Sequence, residues 1–81
     1  MTRDDLPDLV IEALKSLGGA GRIVHICKYI WDNHQNTLKG SGDLFYTWQY
    51  DVRWAGQHLR DKDVLEKPSS DHVWRLSQKN R

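Results

Sequence analysis

Residues Thr47 to Arg60 read TWQYDVRWAGQHLR, and within them Gln49, Arg53, Gln57 and Arg60 fall at intervals of four, four and three. If the stretch is helical, that spacing puts Tyr46, Tyr50, Arg53, Gln57 and Arg60 on one stripe, with Gln49 on its shoulder. A guanidinium offers a planar fork of donors, an amide offers donors and an acceptor, and a phenol combines a ring with a hydroxyl. A solvent-facing helix of ordinary makeup carries Glu, Lys and Ala instead. The chemistry of this stripe is recognition by hydrogen bonding and ring contact.

Other chemistries lack their residues. His25, His34, His58 and His72 are scattered, and the single cysteine, Cys27, rules out a Cys-x-x-Cys motif, so neither a metal site nor an internal disulfide is expected. Cys27 sits in an apolar stretch and is expected to pack in the core. Gly18-Gly-Ala-Gly21 lacks the Gly-Lys-Ser/Thr ending of a phosphate loop and reads as a turn. The carboxylate pairs Asp4-Asp5 and Asp61/Asp63 fall at element boundaries, where caps and turns are commonest. No catalytic residue, cofactor or small-molecule substrate is expected.

The elements that must position the stripe follow from periodicity. The 81 residues suit one domain, ordered from about 5 to 77, and their 38% hydrophobic and 28% charged composition belongs to a folded chain. No apolar run approaches the roughly 20 residues of a membrane span, and Met1-Thr-Arg-Asp-Asp lacks the pattern of a secretory signal. A cytoplasmic protein without membrane contact is expected. The formal net charge is only +1, but residues 46–81 carry 7 cations against 5 anions, so the C-terminal half is the more basic.

Leu6, Leu9, Val10, Ala13, Leu14 and Leu17 recur at helical spacing, predicting a first helix over about 6 to 17 with Asp4, Asp5 and Asp8 at its N-terminus. Arg22-Ile23-Val24 suits a short strand or an extended entry. Ile23, Ile26, Cys27, Ile30 and Trp31 predict a second helix over about 24 to 35, fading into the poor helix formers Asp32 to Asn36. Thr37 to Asp43 reads as a loop, with Ser41 or Asp43 available as a cap.

A third helix spans about 44 to 61, with Phe45, Trp48, Val52, Ala55 and Leu59 facing the core. Trp31 and Trp48 are expected in that core. Trp54 projects between the two stripes and is expected to pack against a hairpin or the first helix. Val64 to Lys67 and His72 to Leu76 read as two strands around Pro68-Ser-Ser-Asp71, and the tail from Ser77 is polar. The order helix, short strand, helix, helix, strand, turn, strand is α+β and is that of a winged helix-turn-helix domain.

From Tyr50 to Glu66 the chain reads YDVRWAGQHLRDKDVLE, followed by HVWRLS. Here it resembles the N-terminal winged-helix domain of Mrr-type restriction proteins. Val52, Trp54, Ala55, Leu59, Val64, Leu65, Trp74, Leu76 and Ser77 stand at the matching places, all within the C-terminal part of the chain. Tyr50-Asp51 departs from the Asn-Arg usual in that family, and Asp63 from a usual Gly. Asp63 is thereby expected to adopt a left-handed conformation, which Asp tolerates better than most residues.

The resemblance implies binding of double-stranded DNA, with the third helix in the major groove and the hairpin wing near the phosphates, as in a transcriptional regulator or a restriction or defence module. Arg53 and Arg60 would then bond guanine O6 and N7, and Gln49 and Gln57 adenine N6 and N7. Tyr46 and Tyr50 would meet phosphates or thymine methyls. Lys67, Ser69, Ser70 and Arg75 suit backbone contacts, as does Lys39 beside the Gly40-Ser-Gly42 amides. Asp43 and Asp51 would oppose nearby phosphate, so moderate affinity and a modest salt dependence are expected. Aromatic and Arg residues also mark protein interfaces, so a homodimer or a protein-binding adaptor is the alternative.

Overall fold

The computed structural model describes residues 1–78. A 3₁₀ turn over Arg3–Asp5 leads into α1 (Leu6–Ser16), followed by β1 (Ala20–Arg22), α2 (Ile23–Lys39), α3 (Leu44–Asp61) and β2 (Val73–Arg75). The result is a small α+β fold of three helices and a two-stranded antiparallel sheet.

α1 forms where apolar residues recur at threes and fours, and it buries Leu6, Pro7, Leu9, Val10, Ala13 and Leu14. Pro7 lies in the first turn, where its missing N–H removes no intrahelical bond. Gly18 and Gly19 take φ of +87° and +99°, a region open to glycine without steric penalty, and the Gly19 N–H donates to the Leu14 carbonyl. The Asp5 carboxylate accepts from the Thr2 N–H at 2.8 Å, so it caps the 3₁₀ turn before α1 rather than α1 itself.

β1 begins earlier than the sequence suggests. Its residues are Ala20–Arg22, and Ile23 and Val24 already belong to α2, because β2 pairs with the segment just after the glycine turn. α2 is longer than expected, running to Lys39 across a non-helical His34 at φ −130° and ψ 20°. Poor local propensity survives there as this kink. Leu38, fully buried beyond it, anchors the last turn, and tertiary packing overrides propensity. The His34 ring meets the Glu12 carboxylate at 2.8 Å and so ties the kink to α1. That contact, more than any other, holds the Glu12 carboxyl below its usual range.

α3 has the bounds expected from its period. Neither Ser41 nor Asp43 caps it: Asp43 makes no side-chain cap bond, and the Ser41 hydroxyl donates instead to the Thr37 carbonyl at the end of α2. Its buried stripe is Leu44, Trp48, Val52, Ala55, Gly56 and Leu59, which joins residues of α1, α2 and the β2 region in one core. Phe45, expected in that core, lies outside it against Trp31 and Tyr46. Trp31 is half-buried, its ring stacked on buried Trp48 at 6.2 Å. Trp54 is half-buried against the core, with its ring stacked on His58 and the Arg3 guanidinium 4.2 Å from its centroid.

Asp63, just past α3, takes the left-handed φ of +60° expected of it. The strand expected at 64–67 reduces to one bridge, Leu65 to Leu76, with Glu66 N–H donating to the Arg75 carbonyl and Ser77 N–H to the Val64 carbonyl. Pro68 has no N–H to extend that ladder. β2 pairs instead with β1, Gly21 opposite Trp74 and Arg22 opposite Val73. This register lays the Trp74 indole on α3 at Gly56, where an added Cβ would sit 2.5 Å from the ring.

Gly56→Ala is accordingly expected to destabilise the fold by about 1–3 kcal/mol, as overpacking does, although alanine is the better helix former. Denaturant unfolding of this variant, alone and combined with Trp74→Leu, checks the assignment. The second substitution should recover part of the loss from the first if the indole is the obstacle.

Candidate functional site

The outer side of α3 is the most unusual surface of the molecule. Tyr46 and Tyr50 are 83% and 76% exposed, and Gln49 and Arg53 are exposed beside them. They stand there because Trp48, Val52, Ala55 and Leu59 occupy the opposite side and fix the rotation of the helix. Tyr46 makes an edge contact with Phe45 at 5.1 Å, which limits its ring without covering it. Arg53 forms no ion pair among the described residues.

The remaining residues of the stripe are less free. The Gln57 amide donates to Asp61 at 2.9 Å, one turn further on, which orients it but leaves it exposed. Arg60 does not project freely from α3. Its guanidinium lies 5.0 Å over the Trp74 ring, the residue is half-buried, and its Nε has no hydrogen-bond partner. The strand pairing that sets Trp74 on Gly56 presents the indole to the residue one turn later, and Arg60 covers it. Burial lowers the pKa of this guanidinium from its ordinary value.

The residues expected at the tip of the hairpin divide. Lys67 and Ser70 are exposed. Ser69 and Arg75 are occupied by an internal network: Arg75 Nη2 meets Asp71 at 2.6 Å, Arg75 Nη1 donates to Ser69 Oγ at 3.1 Å, and the Ser69 hydroxyl donates to Asp71. The same carboxylate accepts the Val73 N–H at 3.0 Å. Their role is to shape the turn before β2. Lys39, expected beside the start of α3, ends α2 instead, with Nζ 5.8 Å from the Trp31 ring centroid.

Two depressions flank Arg53. One, of about 560 Å³, runs between α2 and α3 and is lined by Val24, Cys27, Trp31, Trp48 and Tyr50, a largely apolar set. Cys27 is half-buried in its wall rather than wholly in the core, and burial pushes its thiol pKa up. The other, of about 280 Å³, lies between α3 and the turn before β2, where Arg22, Arg53 and Arg60 meet Ser69, His72 and Trp74. Arg22 and His72 were not among the residues singled out from the sequence. Arg22 precedes α2 and is far from α3 along the chain; the packing of α2 on α3 and the pairing of β1 with β2 bring it there.

Among the described residues, no three His, Cys, Asp or Glu side chains converge as metal ligands, and no helix is long and apolar enough to cross a membrane. Comparison with protein-family models, with curated proteins and with solved structures finds no match to this chain.

The Asp71 network has a titration signature. Chiefly through its bonds to Arg75, then Ser69 and the Val73 amide, the carboxyl is held well below the usual carboxylate range. Because the folded pKa is depressed, the network's contribution to stability is present above the unfolded carboxyl pKa and disappears as pH falls toward the folded value. The side-chain carbonyl carbon of Asp71 should therefore still report a carboxylate at about pH 3, below the ordinary Asp midpoint. Ordinary titration near 4 would mean that the network does not persist in solution.

Proposed function

We propose that this chain is a winged-helix domain that binds double-stranded DNA, with α3 in the major groove and the turn before β2 near the phosphate backbone. The element order supports the winged-helix reading, as does the alignment of Leu65, Leu76 and β1 around β2. The resemblance to the N-terminal domain of Mrr-type restriction proteins, carried by residues 50–77, points the same way. Either a transcriptional regulator or the recognition module of a restriction or defence system fits such a domain.

The observation that carries the proposal is the exposed row of Tyr46, Gln49, Tyr50 and Arg53, whose single cation is unpaired among the described residues. A helix that crosses the major groove offers just such a row to base edges. Arg53 bonds guanine and Gln49 adenine in this reading, with Gln57 contributing through an amide that Asp61 orients. Lys67 and Ser70 contact the backbone, while Ser69 and Arg75 hold the turn in shape. The modest net charge makes base contacts matter more than a general electrostatic footprint.

A second reading has its own observation. The apolar depression between α2 and α3, rimmed by exposed Val24 and Tyr50, has the composition of a protein-binding groove, so a homodimer or adaptor role is the alternative.

Fluorescence anisotropy with labelled duplexes separates the two. Arg53→Ala should weaken duplex binding by about tenfold or more, in the ~1–3 kcal/mol range of a base-reading arginine, without lowering thermal stability. Trp48→Ala should instead remove about 3–5 kcal/mol of stability, because it empties the core behind the same helix. Unchanged affinity in Arg53→Ala, with wild-type protein binding the duplex, would overturn the placement of α3.

A further inference from the structure

The cleft between α3 and the turn before β2 does something that the base-reading row does not. Three arginines from two elements line it: Arg22 at the end of β1, and Arg53 and Arg60 two turns apart on α3. No Asp or Glu lines it. Of the acids adjacent in sequence to its lining residues, Asp61 accepts from the Gln57 amide, and Asp71 is bonded by Arg75, Ser69 and the Val73 amide. Among the described residues none of the three arginines forms an ion pair, and the Arg60 Nε is buried with no partner at all.

Like charges brought together without a counter-ion repel one another, and the repulsion grows where protein walls displace water. The fold nonetheless holds the Arg60 guanidinium 5.0 Å over the Trp74 ring and brings Arg22, paired with Val73 in the β1–β2 register, to line the same cleft. An anion in the cleft resolves the conflict. Guanidinium forks match the geometry of a phosphate's oxygens, and three of them can divide those oxygens among themselves.

We propose that Arg22, Arg53 and Arg60 form a pocket for one phosphate group, which on the DNA-binding reading is a phosphodiester of the strand that passes between α3 and the turn. The proposal rests on that reading for the source of the phosphate, not for the pocket. It assigns a binding role to Arg22 and gives Arg60 a backbone contact in place of a base contact. Arg53, at the boundary of the cleft and the α3 face, links the two. Contact with phosphate positions the domain on the duplex irrespective of sequence.

The test combines duplex binding with inorganic phosphate as a separate probe. Arg22→Ala removes an exposed side chain that makes no cap bond to α2, so its melting temperature should match wild type. Arg60→Met keeps a flexible apolar cover on Trp74 while deleting the charge. Each variant should weaken binding to unrelated duplexes by a similar factor and reduce the slope of log affinity against log salt by about 1. In wild type, the arginine Nε–Hε resonances of all three residues should shift on adding either duplex or inorganic phosphate.

If wild type binds duplex and neither variant changes affinity or salt slope, the pocket is overturned and the DNA-binding reading stands. If wild type binds no duplex but phosphate shifts the three resonances, the pocket stands and the phosphate comes from another source. If neither probe shifts them, the pocket is overturned, and absence of duplex binding in the same samples removes the DNA-binding reading too.

Discussion

The contact of Trp74 with Gly56 sets the working geometry of this molecule. An indole needs a flat, Cβ-free patch to lie this close to a helix, and Gly56 supplies it on the buried side of α3. That contact fixes how near the β1–β2 sheet comes to α3. It thereby sets the width of the arginine cleft, the cover that Arg60 gives to the indole, and the position of Arg22 across the gap. The glycine costs helix propensity of about 1 kcal/mol relative to alanine, a local penalty that the packing of a large aromatic offsets.

Around this contact the fold separates two kinds of surface. The buried stripe of α3 joins α1, α2 and the β2 region in the core, and the rotation this imposes leaves Tyr46, Gln49, Tyr50 and Arg53 outward. The turn before β2 is stiffened by Asp71, whose carboxylate binds Arg75, Ser69 and the Val73 amide together. The Arg75 charge thereby holds the shape of the turn. Among the described residues, Arg22, Arg53 and Arg60 form no ion pair and together line the cleft, a more concentrated arrangement than a net charge of +1 suggests.

Periodicity made the helices legible. The bounds of α3 and most of its buried stripe, Phe45 excepted, were readable because apolar residues recur along all eighteen residues, and α1 because its glycine pair marks the stop. The end of α2 was not, because Asp32 to Asn36 have poor propensity and only the burial of Leu38 carries the helix through the kink at His34. The strand before Pro68 was overread, since alternation of apolar residues cannot reveal which neighbour provides the hydrogen bonds. The exposed row of α3 followed from angular spacing alone. Arg22 did not, because it depends on packing between elements distant in sequence, and the pairing of Arg75 with Asp71, four residues away, did not, because it depends on the shape of the turn before β2.

The most direct test of duplex binding follows backbone amide shifts of the labelled protein as short duplexes of random sequence are added at low and at moderate salt. Duplex binding through α3 and the turn predicts shifts concentrated in residues 44–60 and 67–75 and at Arg22, weakening as salt rises. Shifts confined to the α2–α3 groove around Val24, Cys27 and Trp31, or no shift at low salt, would contradict it.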